Sequence, residues 1–186
     1  MQTQALHSYV SDAMQAPLMI AGITDSGALY PIEKMEAHRA GALHLAVSVF
    51  VMCGDALLVQ RRAVGKYHCG GLWANTCCSH PQWGEQPTDA AQRRLREELG
   101  ITPQLRACNT LDYAADVTDG LREHERVHVF RGDVDRKTLR LEPDPNEVSA
   151  VRWMTRGEAQ AAAAASPEQW APWFRIYLNR WDELGL

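Results

Sequence analysis

The chain has 186 residues, 46% of them hydrophobic, and a formal net charge of −4. That length and apolar content suit one domain over 1–186 with one substantial core, and the negative balance argues against a general nucleic-acid binder. No apolar run suits a membrane span, the N-terminus lacks a basic-then-apolar signal pattern, and five cysteines, two of them adjacent, suit reduced thiols, so the cytoplasm is expected.

Residues 1–17 show no clear periodicity and read as a loose N-terminal arm or a short helix. Leu18 to Ile23 predicts a strand, followed by the turn signal Asp25-Ser26-Gly27. Pro31 to His38 is assigned no element. Leu43 to Val51 is rich in β-formers and reads as a buried strand. Cys53-Gly54-Asp55 marks a hairpin turn, and Leu57 to Arg62 is the next strand. It ends in Arg61 and Arg62, with Lys66 just beyond; these cations suit either a solvated strand end or an anion site. Taken alone, His38 and His44 are satisfied polar residues. Tyr67 to Leu72, containing Gly70-Gly71, leads into Trp73.

The stretch Trp73 to Ile101 is the most informative. Asn75-Thr76-Cys77-Cys78-Ser79-His80-Pro81 and Gly84 read as loop. Pro87 or Thr88 starts a helix, with Asp89 in its first turn. Ala91, Leu95 and Leu99 form its apolar face, and Gly100 suits the C-terminal cap. Arg94 and Glu98 share another face at i,i+4 spacing, able to offer a carboxylate to a cation and a guanidinium to a phosphate. In isolation this is a solvated, salt-bridged helix.

Leu105 to Asp116 has strand-like spacing and includes Tyr113. Glu123-His124-Glu125 precedes the strand Arg126 to Phe130. In extended backbone Glu123 and Glu125 point to one face, so His124 points away; His128 receives no role. Asp144-Pro145-Asn146 is a turn and Val148 to Met154 a strand. Thr155 with Glu158 forms a capping box, and Ala161 to Ala165 is helical. A last helix is expected from Ser166-Pro167 through Trp170, Trp173, Tyr177 and Trp181.

Read from Ser79, the central stretch fits G-x5-E-x7-R-E-U-x-E-E-x-G-U, the Nudix box. Glu85, Arg93, Leu95, Glu97, Glu98, Gly100 and Ile101 match, while Ser79 replaces glycine and Arg94 replaces glutamate. Joined to Asn75-x-x-Cys78-x-His80-Pro81, it resembles the type I isopentenyl-diphosphate isomerases of the Nudix superfamily. The likeness extends from about Lys34 to Trp173.

The resemblance implies an α/β/α sandwich with a mixed sheet. It implies interconversion of isopentenyl and dimethylallyl diphosphate, a small-molecule isoprenoid diphosphate substrate, within isoprenoid biosynthesis. Cys78 and Glu125 become acid–base groups on opposite faces of the substrate. Tyr113, ten residues before Glu123 as in the family, supports Glu125, and Trp173 faces the carbocation. His38, His44, His80, Glu123 and Glu125 become ligands of one Mn2+ or Zn2+. Glu98 holds Mg2+ together with the diphosphate. Lys34, Arg62, Lys66 and Arg94 become diphosphate contacts. The Cys78 thiol is expected to have a lowered pKa, and Cys77 to pack.

Two other readings compete. A Nudix pyrophosphohydrolase would use the helix carboxylates to hold Mg2+ and activate water, but Arg94 removes one of them. A non-catalytic module with structural zinc would use four tetrahedral ligands, against five mixed ligands and a separate cysteine here.

Overall fold

The computed structural model describes residues 17–186, so the arm expected over 1–17 lies, except for its last residue, outside the described residues. The strands in chain order are β1 (Met19–Ile23), β2 (Leu29–Glu33), β3 (His44–Cys53), β4 (Ala56–Arg62), β5 (Trp73–Ala74), β6 (Cys77–Ser79), β7 (Leu105–Asp116), β8 (Arg122–Asp133) and β9 (Val148–Thr155). The helices are α1 (Lys34–Ala40), α2 (Pro87–Leu99), α3 (Arg156–Ala165) and α4 (Pro172–Asn179).

β3 is buried up to its last residue, the pattern of a strand covered on both faces. It pairs in parallel with β8, from His44 opposite Glu125 to Met52 opposite Asp133. Its antiparallel partners are β6, at Val47 to Val49, and β4, across the expected hairpin. β7 joins β8, β9 and β5 join β4, and β2 joins β1, which touches β3 at His44. The result is a mixed nine-stranded sheet.

Alternation along β3 divides the core. Ala46, Phe50 and Met52 face one side, where Ala159 and Ala163 of α3 and Phe174, Tyr177 and Leu178 of α4 cover them. Val47, Val49 and Val51 face the other, against Ala90, Ala91, Leu95 and Leu99 of α2. The sequence therefore folds as the expected α/β/α sandwich. α2 starts at Pro87, has Asp89 in its first turn and ends on Gly100 at φ 70°. The Thr155–Glu158 capping box is present.

Three local readings are corrected. The unassigned Pro31–His38 segment contains the end of β2 and the start of α1, whose first amides at Met35 and Glu36 donate to the Glu33 carboxylate. Seven residues are too few for a clear 3.6-residue period. The segment around Cys78, read as loop, contains strand β6 against β3. The last helix is broken: Pro167–Gln169 is a short 3-10 turn, and α4 begins only at Pro172. A residue before proline is pushed out of the helical region, and Ala171 is extended at ψ 136°. Trp170 and Trp181 thus lie outside α4.

Leu95 is fully buried between α2 and the sheet. Leu95→Ala is expected to lower the unfolding free energy by about 3 kcal/mol, measured by urea denaturation.

Candidate active site

One cross-strand row sets the centre of the site. His44 on β3 and Tyr113 on β7 stand opposite Glu125 on β8, one from each side. The Tyr113 hydroxyl donates to Glu125 Oε2 at 2.7 Å, and His80 Nε2, just beyond β6, lies 2.9 Å from Oε1. Glu123, two residues earlier on β8, is buried on the same face. His124 turns away, with Nδ1 3.0 Å from the Gly41 carbonyl. His38 enters from α1.

Ligand atoms of His38, His44, His80, Glu123 and Glu125 all lie within 4.8 Å of one another, and all five residues are buried. His38 and His44 each use Nδ1 on a backbone carbonyl, those of Lys34 and Ala42, both at 2.7 Å. With Nδ1–H as the donor, Nε2 is left with its lone pair toward the cluster. His38 Nε2 and Glu123 Oε2 have no hydrogen-bond partner, and His44 Nε2 lies 3.2 Å from His80 Nε2. Burial above all drives His80 well below the usual imidazole range, keeping it neutral. Converging nitrogens and carboxylates, some of them without any other partner, fit a divalent cation.

Cys78 sits at the pocket wall. Its thiol donates to Asn75 Oδ1 at 3.0 Å and lies 3.4 Å from Ser48 Oγ. Asn75 is fully buried and anchored through Nδ2 to Ser48 Oγ and the Val49 carbonyl. The expected lowering of the thiol pKa is not found. Burial is the largest influence and pushes Cys78 up to about 12, so it holds its proton. For Glu125 burial acts upward too, but bonding with Glu123, His44 and Tyr113 outweighs it and holds the carboxyl down to about 2. Cys77 is fully buried in the core beneath α2.

Cations gather on another wall. Lys34, Arg62, Lys66 and Arg94 line the same pocket as Cys78, His80, Glu98, Tyr113, Glu123, Glu125 and Trp173. Burial, then the Lys66 and Arg94 charges, pushes the Lys34 ammonium down to about 8. Arg62 is buried beside the Trp173 ring, its guanidinium carbon 5.2 Å from the ring centroid. Arg61 instead points outward and bonds the Gly71 carbonyl. Arg94 reaches Glu98 at 2.8 Å and Glu97 at 2.6 Å. Glu98 is buried and receives Gln60 Nε2 at 3.0 Å, whereas Glu97 is a partly exposed partner of Arg93 and Arg94. Ser79, in the box's glycine position, lies in β6 without a positive φ, so that position needs no glycine here.

The sequence reading missed two residues of this pocket and one partner of its cations. His68 is buried, its Nε2 2.9 Å from Glu123 Oε1 and its ring 5.6 Å from that of Trp173. It gets there because the loop doubles back tightly: a Cβ on Gly70 would meet the Val64 carbonyl oxygen at 2.3 Å. Tyr67 lies under the Lys34 ammonium at 4.3 Å. Glu147 contacts both Lys66 and Arg94. No periodic signal marks any of them; the Gly70-Gly71 pair was the only local hint of a reversal.

A NUDIX domain model matches residues 42–174. A Cereibacter sphaeroides protein named isopentenyl-diphosphate Delta-isomerase is 52% identical over 153 residues, covering 82% of this chain and 86% of that protein. A protein of the same name from Dinoroseobacter shibae is 51% identical over 158 residues, covering 84% and 89%. Among solved structures, a Deinococcus radiodurans protein superposes with a TM-score of 0.71 at 17% identity, covering 87% of this chain and 98% of that one. A MutT protein from Methanosarcina mazei gives 0.60 at 17% identity, covering 75% and 93%. At such identities the structures show the fold alone.

The loop before α2 is held by Arg93, which grips Glu85 with Nε and Nη2, both at 2.8 Å, while Glu85 also accepts from the Gln82 amide. These bonds hold the Glu85 carboxyl below its usual range. Its stabilisation is therefore full well above pH 4.5 and declines as pH falls through the lower folded value. Glu85→Gln is expected to lower urea stability by about 1 kcal/mol at pH 7. The gap from wild type should narrow progressively below pH 4.5.

Proposed function

The chain belongs to the isopentenyl-diphosphate Delta-isomerases of the Nudix superfamily, and from that membership we infer what its pocket does: it interconverts isopentenyl diphosphate and dimethylallyl diphosphate, in isoprenoid biosynthesis. The observation that carries the residue-level reading is the placement of a half-buried thiol, a buried carboxylate and four cations around one pocket. The competing pyrophosphohydrolase needs carboxylates on the α2 face where Arg94 stands. A structural zinc module leaves the Cys78 network and the cationic wall without a task.

In this reading the cationic wall takes the diphosphate, with guanidinium forks on Arg62 and Arg94 and ammonium groups on Lys34 and Lys66. The hydrocarbon then lies toward Cys78, Tyr113 and Trp173. Isomerisation adds a proton to one end of a carbon–carbon double bond and removes one from a neighbouring carbon. Cys78 and Glu125 do this from opposite faces. At rest the thiol carries its proton and the carboxylate is ionised, so the pocket starts with one acid and one base. Tyr113 fixes the Glu125 carboxylate through its 2.7 Å bond. Trp173, only 2% exposed, turns an apolar ring toward the pocket, shields the tertiary cation from water and stabilises it through its π face.

Nudix enzymes use divalent metals. Here His38, His44, His80, Glu123 and Glu125 fit one Mn2+ or Zn2+, and Glu98 fits Mg2+ carried with the diphosphate. Bound there, the ions would supply positive charge that orients the carboxylates and neutralises phosphate oxygens. All five cysteines are free, which supports a reducing, cytoplasmic setting. The ligand and catalytic assignments belong to one domain over 1–186 in the same reading.

The experiment is turnover of isopentenyl diphosphate by metal-replete protein in deuterated water, followed by NMR. Deuterated dimethylallyl diphosphate is expected from the wild type, with turnover nearly abolished in Cys78→Ala and only mildly reduced in Cys77→Ala. Normal activity in Cys78→Ala overturns the cysteine's role. Phosphate release without isomerisation favours the hydrolase.

Ligation has its own test. Dialysis against a chelator followed by Zn2+ or Mn2+ titration should restore about one tightly held ion per chain. His38→Ala and Glu123→Ala should each lose most of that affinity, read calorimetrically, because each removes a direct ligand.

A further inference from the structure

Glu147 lies outside the Nudix box and outside the histidine–carboxylate cluster, and the acid–base chemistry above does not use it. We propose that Glu147 is the positioning residue of the diphosphate site: its two carboxylate oxygens hold Lys66 and Arg94 together so that both cations converge on one anion.

The inference rests on the diphosphate reading and deepens it. Glu147 Oε2 accepts from Lys66 Nζ, while Oε1 lies 3.1 Å from Arg94 Nη2. The two cations come from unrelated parts of the chain: Lys66 from the turn after β4, Arg94 from the middle of α2. Arg94 has further anchors in Glu97 and Glu98. Among the described residues, Lys66 is paired with Glu147 alone. Both side chains of that pair are about one-fifth exposed, at 18% and 21%, so water screens them only in part.

The backbone makes the same connection. The Glu147 carbonyl accepts from the Ala63 amide at 2.9 Å, which pins the turn bearing Lys66. The Glu142 and Asp144 amides donate to the Leu99 and Glu98 carbonyls at 2.9 and 3.1 Å, which pins the end of α2. Residues 142–147 therefore stitch that turn to that helix, and Glu147 occupies the seam. Without its charge, Lys66 and Arg94 would repel each other and Lys34, whose ammonium already feels both. Glutamine cannot substitute: one amide oxygen can accept from one cation, but the amide nitrogen then faces the other. Aspartate keeps both acceptors on a shorter arm.

The test titrates inorganic pyrophosphate with Mg2+ into metal-replete wild type, Glu147→Gln, Glu147→Ala and Glu147→Asp, by calorimetry. Kd is expected to rise about tenfold or more in the glutamine and alanine variants, and less in the aspartate variant. KM for isopentenyl diphosphate should rise in parallel, by a larger factor than kcat falls, and occupancy of the histidine–carboxylate site should stay at the wild-type level. A pyrophosphate Kd within about twofold of wild type in both Glu147→Gln and Glu147→Ala overturns the positioning role and leaves the isomerase reading standing. A Kd that rises only together with loss of the histidine-bound metal also overturns it, because the damage is then general. Failure of the wild type to bind pyrophosphate removes the diphosphate site, and this inference with it.

Discussion

Three imidazoles and two carboxylates are buried with their ligand atoms within 4.8 Å of each other, and this is the constraint that the rest of the structure serves. Groups of this kind are expensive to take out of water unless something inside the protein completes them. Hydrogen bonds complete them only in part: His38 Nε2 and Glu123 Oε2 are left without partners. The cluster therefore fits a cation, and the fold must bring its members from four places. α1 brings His38, β3 brings His44, β6 leads into His80, and β8 brings both glutamates. The parallel register of β3 and β8 is the critical choice. A slip of one residue would turn Glu123 and Glu125 to the opposite face and put His124 in their place.

Charge is divided around that cluster. Anionic ligands lie on β8, and the cations stand on α1, the end of β4, the turn after it, and α2. A substrate with a diphosphate at one end and a small branched hydrocarbon at the other matches the division. In the proposed reading its charged end meets Lys34, Arg62, Lys66 and Arg94, and its apolar end meets Trp173, Tyr113 and Cys78. In the proposed mechanism the two halves are coupled. Fixing the diphosphate fixes where the double bond lies relative to the thiol and the carboxylate, and proton transfer to carbon depends on that placement. The raised pKa keeps the Cys78 thiol protonated at rest but makes it a weaker acid, so proton transfer in this mechanism rests on how closely the double bond is held against it.

Local rules made much of this legible. The period of two put Glu123 and Glu125 on one face and turned His124 away, and His124 does bond Gly41 outside the cluster. Proline, Asp89 and Gly100 bounded α2. Other features depended on tertiary partners. α1 is seven residues long, and β6 is a three-residue strand that exists because β3 offers it an edge. Trp170, Trp173 and Trp181 have helical spacing in the sequence, but α4 starts at Pro172 and ends at Asn179, which leaves only Trp173 of the three inside it. His68 enters the pocket through a folded-back loop, and Glu147 reaches Lys66 and Arg94 from a seam between distant segments; neither has a period. The Cys78 pKa went the other way from the expectation because burial, invisible in the sequence, outweighed its hydrogen bonds.

Arg94 links the departure from the Nudix box to the chemistry. A hydrolase face needs carboxylates gathered to hold metal and prepare water for attack at phosphorus. In this chain the guanidinium occupies that face and reaches Glu97, Glu98 and Glu147 within 3.1 Å. One glutamate is absent, and two of those nearby are partly neutralised by the arginine that replaced it. What remains is Glu98, buried and steadied by Gln60, beside a cation that a phosphate oxygen can share. Such a face can hold a diphosphate without a carboxylate set that activates water against it. In the proposed mechanism this face grips the diphosphate as a handle, and the reaction takes place at the hydrocarbon end between Cys78 and Glu125.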